Sequence, residues 1–240
     1  MTNPTAPTAY RTPPVPTAPA IELVVMDMAG TTVADDGLVI DAFDSAATAV
    51  GLAETGAERE DARRYVLETM GQSKIEVFRA LFGAEDRAQA ANTAFEAAYD
   101  ARIDGGVMPI PDAAETITSL REAGIAVVLT TGFSPAMQHR ILDALGWQTI
   151  ADAYLAPGDA VRGRPHPDLV LTAAMRVQVG DMANVAVVGD TSSDILSGRR
   201  AGASIVVGVL TGAHRAETLR GAGATDVLDS VAALPALLMP

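Results

Sequence analysis

The sequence predicts an α/β protein: a doubly wound, Rossmann-like parallel sheet with an inserted α-helical cap domain. Three observations predict it. Short apolar runs recur at 21–27 (IELVVMD), 125–130 (IAVVLT), 184–189 (NVAVVG) and 204–209 (SIVVGV). They have the uninterrupted character of strands buried on both faces. Helical periodicity fills the intervals at about 112–123, 134–145, 166–179 and 191–201. Strands alternating with helices imply a parallel sheet with right-handed crossovers. Residues 38–104 break that alternation: they are rich in alanine, helically periodic and carry no strand pattern, with four helices expected at about 38–50, 57–69, 72–82 and 86–103.

These patterns divide the chain. Residues 1–19, dominated by Pro, Thr and Ala, read as a disordered arm. Residues 20–36 and 108–240 form the core, and 37–107 the helical cap. Turns at 33–37 (VADDG) and 105–111 (GGVMPIP) serve as hinges. The arm lacks the basic start and apolar stretch of a secretory signal, so a cytoplasmic protein is expected. No apolar run reaches the roughly 18–20 residues of a membrane span.

Composition narrows the chemistry. At 240 residues and 49% hydrophobic, the chain can bury a core. A net charge of −13 disfavours a nucleic-acid partner, which requires a basic face. The absence of cysteine excludes disulfides, thiolate nucleophiles and Cys-type metal sites. His139, His166 and His214 are too scattered for a zinc cluster; His139 and His214 read as surface residues, His166 as the start of a helix, and Trp147 as packing. Lys74 is the only lysine among seventeen basic side chains, so any chemistry that needs an amine side chain must use it.

Ligands of open α/β sheets bind beyond the carboxyl ends of the strands. The first strand run ends Asp27-Met28-Ala29-Gly30-Thr31-Thr32, the second Thr130-Thr131-Gly132, and the third Gly189-Asp190-Thr191-Ser192-Ser193-Asp194. Arg162 and Arg164 precede a proline between them. Carboxylates, carbonyls and water make an oxygen site suited to Mg²⁺. A carboxylate can attack phosphorus to form an aspartyl phosphate, while a hydroxyl, backbone N–H groups and a guanidinium hold the phosphoryl oxygens. Each of these residues singly is a turn, cap or surface residue; their order at successive strand ends is what points to one site.

On these residues the chain resembles the haloacid dehalogenase superfamily over roughly 21–230. DMAGTT (27–32), MGQSKIEVFRAL (70–81), LTTGF (129–133), GRPHPD (163–168) and VGDTSSDILSGRRAGA (188–203) resemble its phosphonatase-like branch. The resemblance implies Asp27 as nucleophile, and Asp27, the Ala29 carbonyl, Asp190 and Asp194 as Mg²⁺ ligands. It implies Thr130 and Arg164 as phosphoryl-binding catalytic groups, helped by backbone N–H groups near Met28, Ala29 and Thr131, with Met28 also a pocket wall. Gly71 and Gln72 would form a loop over the site that selects substrate. A small phosphonate or phosphate is the implied substrate, and a homodimer through the cap the implied assembly.

Two features depart from the wider superfamily. Most of its phosphatases carry an acid two residues after the nucleophile; here Ala29 stands there, as in the phosphonatase branch. In that branch a cap lysine forms a Schiff base with the substrate aldehyde. Placed two residues ahead of Met70-Gly71, that amine position falls on Glu68, which cannot form one and is instead expected to supply a proton when the cap closes. Lys74 is expected as an exposed helix residue. Aldehyde cleavage through Lys74 is the competing reading, and a non-catalytic protein that binds a phosphorylated metabolite is a third.

Overall fold

The computed structural model describes residues 21–103, 106–158 and 160–239. The arm expected at 1–19 and Gly105 of the second hinge lie outside the described residues. The chain opens with β1 (Leu23–Asp27) and then runs through four helices, α1 (Leu38–Ala49), α2 (Ala57–Glu68), α3 (Lys74–Phe82) and α4 (Glu85–Ile103). There follow α5 (Ala113–Glu122), β2 (Ala126–Thr130), α6 (Pro135–Leu145), β3 (Ala153–Leu155) and α7 (Asp168–Arg176). The chain continues with β4 (Val185–Gly189), α8 (Ser192–Ala201), β5 (Ile205–Val209), α9 (Ala216–Gly221), β6 (Asp226–Leu228) and α10 (Leu234–Leu238).

The strands form a single parallel sheet in the order β3-β2-β1-β4-β5-β6. The four apolar runs became β1, β2, β4 and β5, all but fully buried because helices cover both faces. β3 and β6 add an edge strand at each side. At three residues apiece they carry no readable period; only the hydrogen bonds of β2 and β5 define them.

Register brings the reactive ends level. β1 is central, with Asp27 opposite Thr130 of β2 and Met26 opposite Val188 of β4, so Gly189 and Asp190 emerge beside Asp27. The chain leaves β1 toward β2 on one side and returns as β4 on the other, which opens a crevice at that reversal. Helix α8 begins there with a capping box: Asp194 N donates to the Thr191 hydroxyl and Thr191 N donates to the Asp194 carboxylate.

The helical segment α1–α4 packs on itself and on the sheet through aromatic side chains. All five phenylalanines lie in this row. Phe43, Phe78 and Phe82 stack in sequence, Phe95 meets Phe78 edge-on at 5.8 Å, and Phe133, from the loop after β2, lies 5.9 Å from Phe95 and 4.6 Å from Tyr99. Phe133 therefore joins the helical segment to the core. Phe95→Ala should cost about 3–5 kcal/mol of unfolding free energy, read as a lowered urea midpoint. A loss below about 1 kcal/mol would show that this row does not carry the joint.

Candidate active site

A cavity of about 380 Å³ lies beyond the ends of β1, β2 and β4. The core lines it with Asp27, Ala29, Thr131, Arg164 and Asp190, the loop after β1 with Asp35, and the helical segment with Gly71 and Lys74. That volume suits a small ligand.

Its floor is acidic. Carboxylate oxygens of Asp27, Asp190 and Asp194 lie within 4.8 Å of one another, and all three residues are buried. Arg164 reaches between them. Its Nη1 is 2.6 Å from Asp27 Oδ1 and also contacts Asp194 Oδ1. Asp190 is fixed by Thr31 Oγ1, which donates at 3.1 Å, and by Ala213 N at 2.7 Å. A Cβ on Gly30 would fall 2.6 Å from Asp190 Oδ2, and one on Gly212 only 2.0 Å, so the backbone closes on that carboxylate where no side chain fits.

Three carboxylates against one guanidinium leave two negative charges in excess. Asp27 Oδ1 faces only the Arg164 guanidinium, and the buried Arg164 Nε has no hydrogen-bond partner. Burial, together with Asp194 and Asp190, pushes the Asp27 carboxyl well above the usual range although Arg164 opposes the shift. Burial and the Asp194 charge push Asp190 up to about 7. An all-oxygen donor set with this excess charge fits a hard divalent cation, and Asp27, Asp190 and Asp194 are the residues that would hold it.

Lys74 opens α3 and enters the same cavity, not the exposed surface that sequence predicts. The reason lies in the turn before it. Gly71 adopts a left-handed conformation (φ 81°), reverses the chain after α2, and leaves the backbone of 71–74 pressed on the core. Lys74 N donates to Gly132 O at 3.1 Å. A Cβ at Gly132 would meet Gln72 O at 2.4 Å, and one at Gly71 would meet Thr191 Oγ1 at 2.3 Å. The Lys74 amine lies 5.4 Å from the centre of the Phe133 ring. Burial lowers its pKa against the opposing charges of Asp35, Asp27 and Asp190, which favours the neutral, nucleophilic amine.

Other expected residues are placed differently. Glu68 ends α2 exposed and outside the cavity lining, because the reversal at Gly71 comes after it. Met28 is no pocket wall: its side chain is fully buried in the core, with its sulfur 3.5 Å from Gln138 Nε2. Thr130 stands at the end of β2, but its hydroxyl donates to Met26 O at 3.3 Å, and Thr131 lines the cavity in its place. Gln72 faces a second cavity, of about 700 Å³, on the other side of Arg164. Arg162 is exposed and paired with Asp168 at 2.8 Å. His214 is half-buried, not a surface residue, and its Nδ1 accepts from Ser192 N at 2.9 Å, at the start of α8. Asp35, Thr31 and Thr191 were missed as individual site residues. Asp35 was visible only as one acid of the VADDG turn, and nothing in that turn sets it apart from Asp36.

Fold and site together define a class, and comparison with known proteins agrees. Residues 21–202 match the haloacid dehalogenase-like hydrolase family. The chain belongs to that family, and the protein is a phosphoryl hydrolase. It is similar to the phosphonoacetaldehyde hydrolases of Bacillus cereus and Bacillus anthracis, at 33% identity over 211 residues, covering 80% of this chain and 76% of each relative. A probable phosphatase of Dickeya dadantii is 27% identical, with 87% of this chain and 89% of the relative covered. Among solved structures, a phosphonoacetaldehyde hydrolase-like protein from Oleispira antarctica superposes with a TM-score of 0.81 at 25% identity, covering 96% of this chain and 95% of that one.

The raised carboxyls make stability depend on pH in metal-free buffer. Folded Asp190 holds its proton more tightly than the unfolded chain does. Its contribution is thus complete below the ordinary value of 3.8 and lost as pH rises through about 7. With chelator present, the unfolding free energy from urea titration should fall from pH 4 to pH 7, by an amount on the order of a few kcal/mol, and the urea midpoint with it. A midpoint that rises over this range would contradict the cluster's electrostatics.

Proposed function

We propose that the enzyme cleaves the carbon–phosphorus bond of a small phosphonate whose neighbouring carbon is a carbonyl, with an aspartyl phosphate on Asp27, an iminium on Lys74, and Mg²⁺ as cofactor. One observation carries this reading: the chain's only lysine lines the same cavity as Asp27. Position 29 supports it, because alanine there supplies no acid to an oxygen leaving group. The phosphonoacetaldehyde hydrolases named above are relatives of the same kind.

The residues divide the work. The Lys74 amine condenses with the carbonyl, releases water and leaves an iminium that withdraws electrons. An Asp27 oxygen attacks phosphorus in line; the electrons of the carbon–phosphorus bond pass into the iminium and form an enamine. The leaving carbon needs no proton at that instant. Protonation of the enamine carbon and hydrolysis of the new iminium release the carbonyl product, and water hydrolyses the aspartyl phosphate. Arg164 and the backbone N–H groups near Ala29 and Thr131 bind the phosphoryl oxygens. Asp27, the Ala29 carbonyl, Asp190 and Asp194 would hold Mg²⁺, which would offset the repulsion between the nucleophile and the phosphoryl group. The helical segment acts as the cap, and water is excluded while it is seated. Gly71 shapes the entrance to the cavity.

Three measurements test this. With phosphonoacetaldehyde present, borohydride should trap an adduct whose mass maps to Lys74, and Lys74→Arg should abolish both adduct and phosphate release. Phosphate released from esters but not from phosphonates, with no adduct, would make the substrate an organophosphate. Asp27→Asn should reduce phosphate release below detection. Magnesium chloride should raise Tm more at pH 8 than at pH 5, because the carboxylates must be ionised to bind it; an equal rise at both would count against this site.

A further inference from the structure

We propose that Asp35 is the proton-transfer residue for the Lys74 amine, taking its proton before it attacks and returning one to the departing oxygen; this rests on the iminium reading above. Asp35 sits in the loop between β1 and α1, at the junction of sheet and helical segment. Its Oδ1 accepts from Val39 N in the first turn of α1 at 3.2 Å, which engages one carboxylate oxygen and fixes the group. The residue lines the cavity that also holds Lys74 and Asp27.

The buried acids near Lys74 are committed elsewhere, and Asp36, which also lines the cavity, is exposed where Asp35 is half-buried. Asp27 and Asp194 contact Arg164, and Asp190 accepts from Thr31 and Ala213. Of the carboxylates acting on Lys74, Asp35 acts most strongly, ahead of Asp27 and Asp190. The charged and titratable groups that bear on Asp35 are Lys74 from α3, Tyr99 from α4, and Asp36 and Asp41 from its own segment. Burial, with the charges of Asp36 and Asp41, raises its carboxyl, while the Val39 N–H and Lys74 hold it back. A carboxyl so placed gives up and regains a proton more readily near neutral pH than an exposed one. Tyr99 keeps its own proton, because burial and the charges of Asp35 and Asp27 disfavour the phenolate.

The steps balance. The Asp35 carboxylate accepts a proton from the Lys74 ammonium. The nitrogen lone pair forms a bond to the carbonyl carbon, the C=O π pair moves to oxygen, and a proton passes from nitrogen to that oxygen. The C–O bond then breaks: the hydroxyl takes the proton from the Asp35 carboxyl and leaves as water, while the nitrogen lone pair forms the C=N bond. Ammonium and carbonyl become iminium and water, and the carboxylate is restored.

The test measures the rate at which the borohydride-trapped adduct forms with phosphonoacetaldehyde. Asp35→Asn keeps an oxygen for the Val39 N–H and should slow adduct formation roughly 100-fold. Asp35→Glu should recover part of the rate, and formate should accelerate Asp35→Ala but not the unmodified enzyme. Thermal melts establish that each variant is folded, and Asp35→Asn serves if Asp35→Ala is not. An Asp35→Asn rate within about threefold of the unmodified rate, or slowing that neither formate nor Asp35→Glu relieves, overturns the assignment while leaving the Lys74 chemistry intact. An unmodified enzyme that releases phosphate with no adduct overturns both, so the two failures are distinguishable.

Discussion

Three buried carboxylates crowd around one guanidinium at the ends of β1 and β4, and much of the structure near them exists to hold that arrangement. Two like charges about 4 Å apart repel by about 4 kcal/mol at an effective dielectric near 20. The fold tolerates this because each acid is held by a different element. Asp27 is the last residue of a central strand, Asp190 is gripped by Thr31 and Ala213, and Asp194 is locked into the first turn of α8 by Thr191. The repulsion is left for protons or a cation to relieve. Asp194 shows that capping and function need not compete: one carboxylate ends a capping box and faces Arg164.

The second constraint is close backbone approach. Gly71 against Thr191 and Gly132 against the Gln72 carbonyl leave no room for a Cβ, and these contacts fix where α3 begins. The aromatic row supplies the apolar area behind them. Phe133 belongs to both, ending the row and meeting the Lys74 amine. The packing that joins the helical segment to the sheet is thus continuous with the packing that lowers the pKa of the amine.

Legibility followed the range of the interactions. The strands β1, β2, β4 and β5 and the helices between them were readable because burial on both faces leaves a local imprint, apolar runs alternating with helical period. β3 and β6 were not, since three residues hold no period. Asp27, Arg164, Asp190 and Asp194 stood out by their order at successive strand ends. Glu68 and Lys74 were misjudged for a common reason: six residues apart across a glycine, neither position could be oriented without knowing which way the chain turns at Gly71. Met28 was misread because a residue next to a nucleophile points into the core as readily as into a pocket.

The sequence by itself determined the class of fold, the acids available at its rim, and that a single lysine exists to provide an amine. Those follow from residue identity and local period. Only the tertiary structure decided that this lysine shares a cavity with Asp27, that Glu68 faces water, and that Asp35 is half-buried in that cavity while Asp36, also in its lining, is exposed. These depend on contacts between segments far apart in the chain, Gly71 on Thr191 and Gln72 on Gly132, which no local pattern encodes.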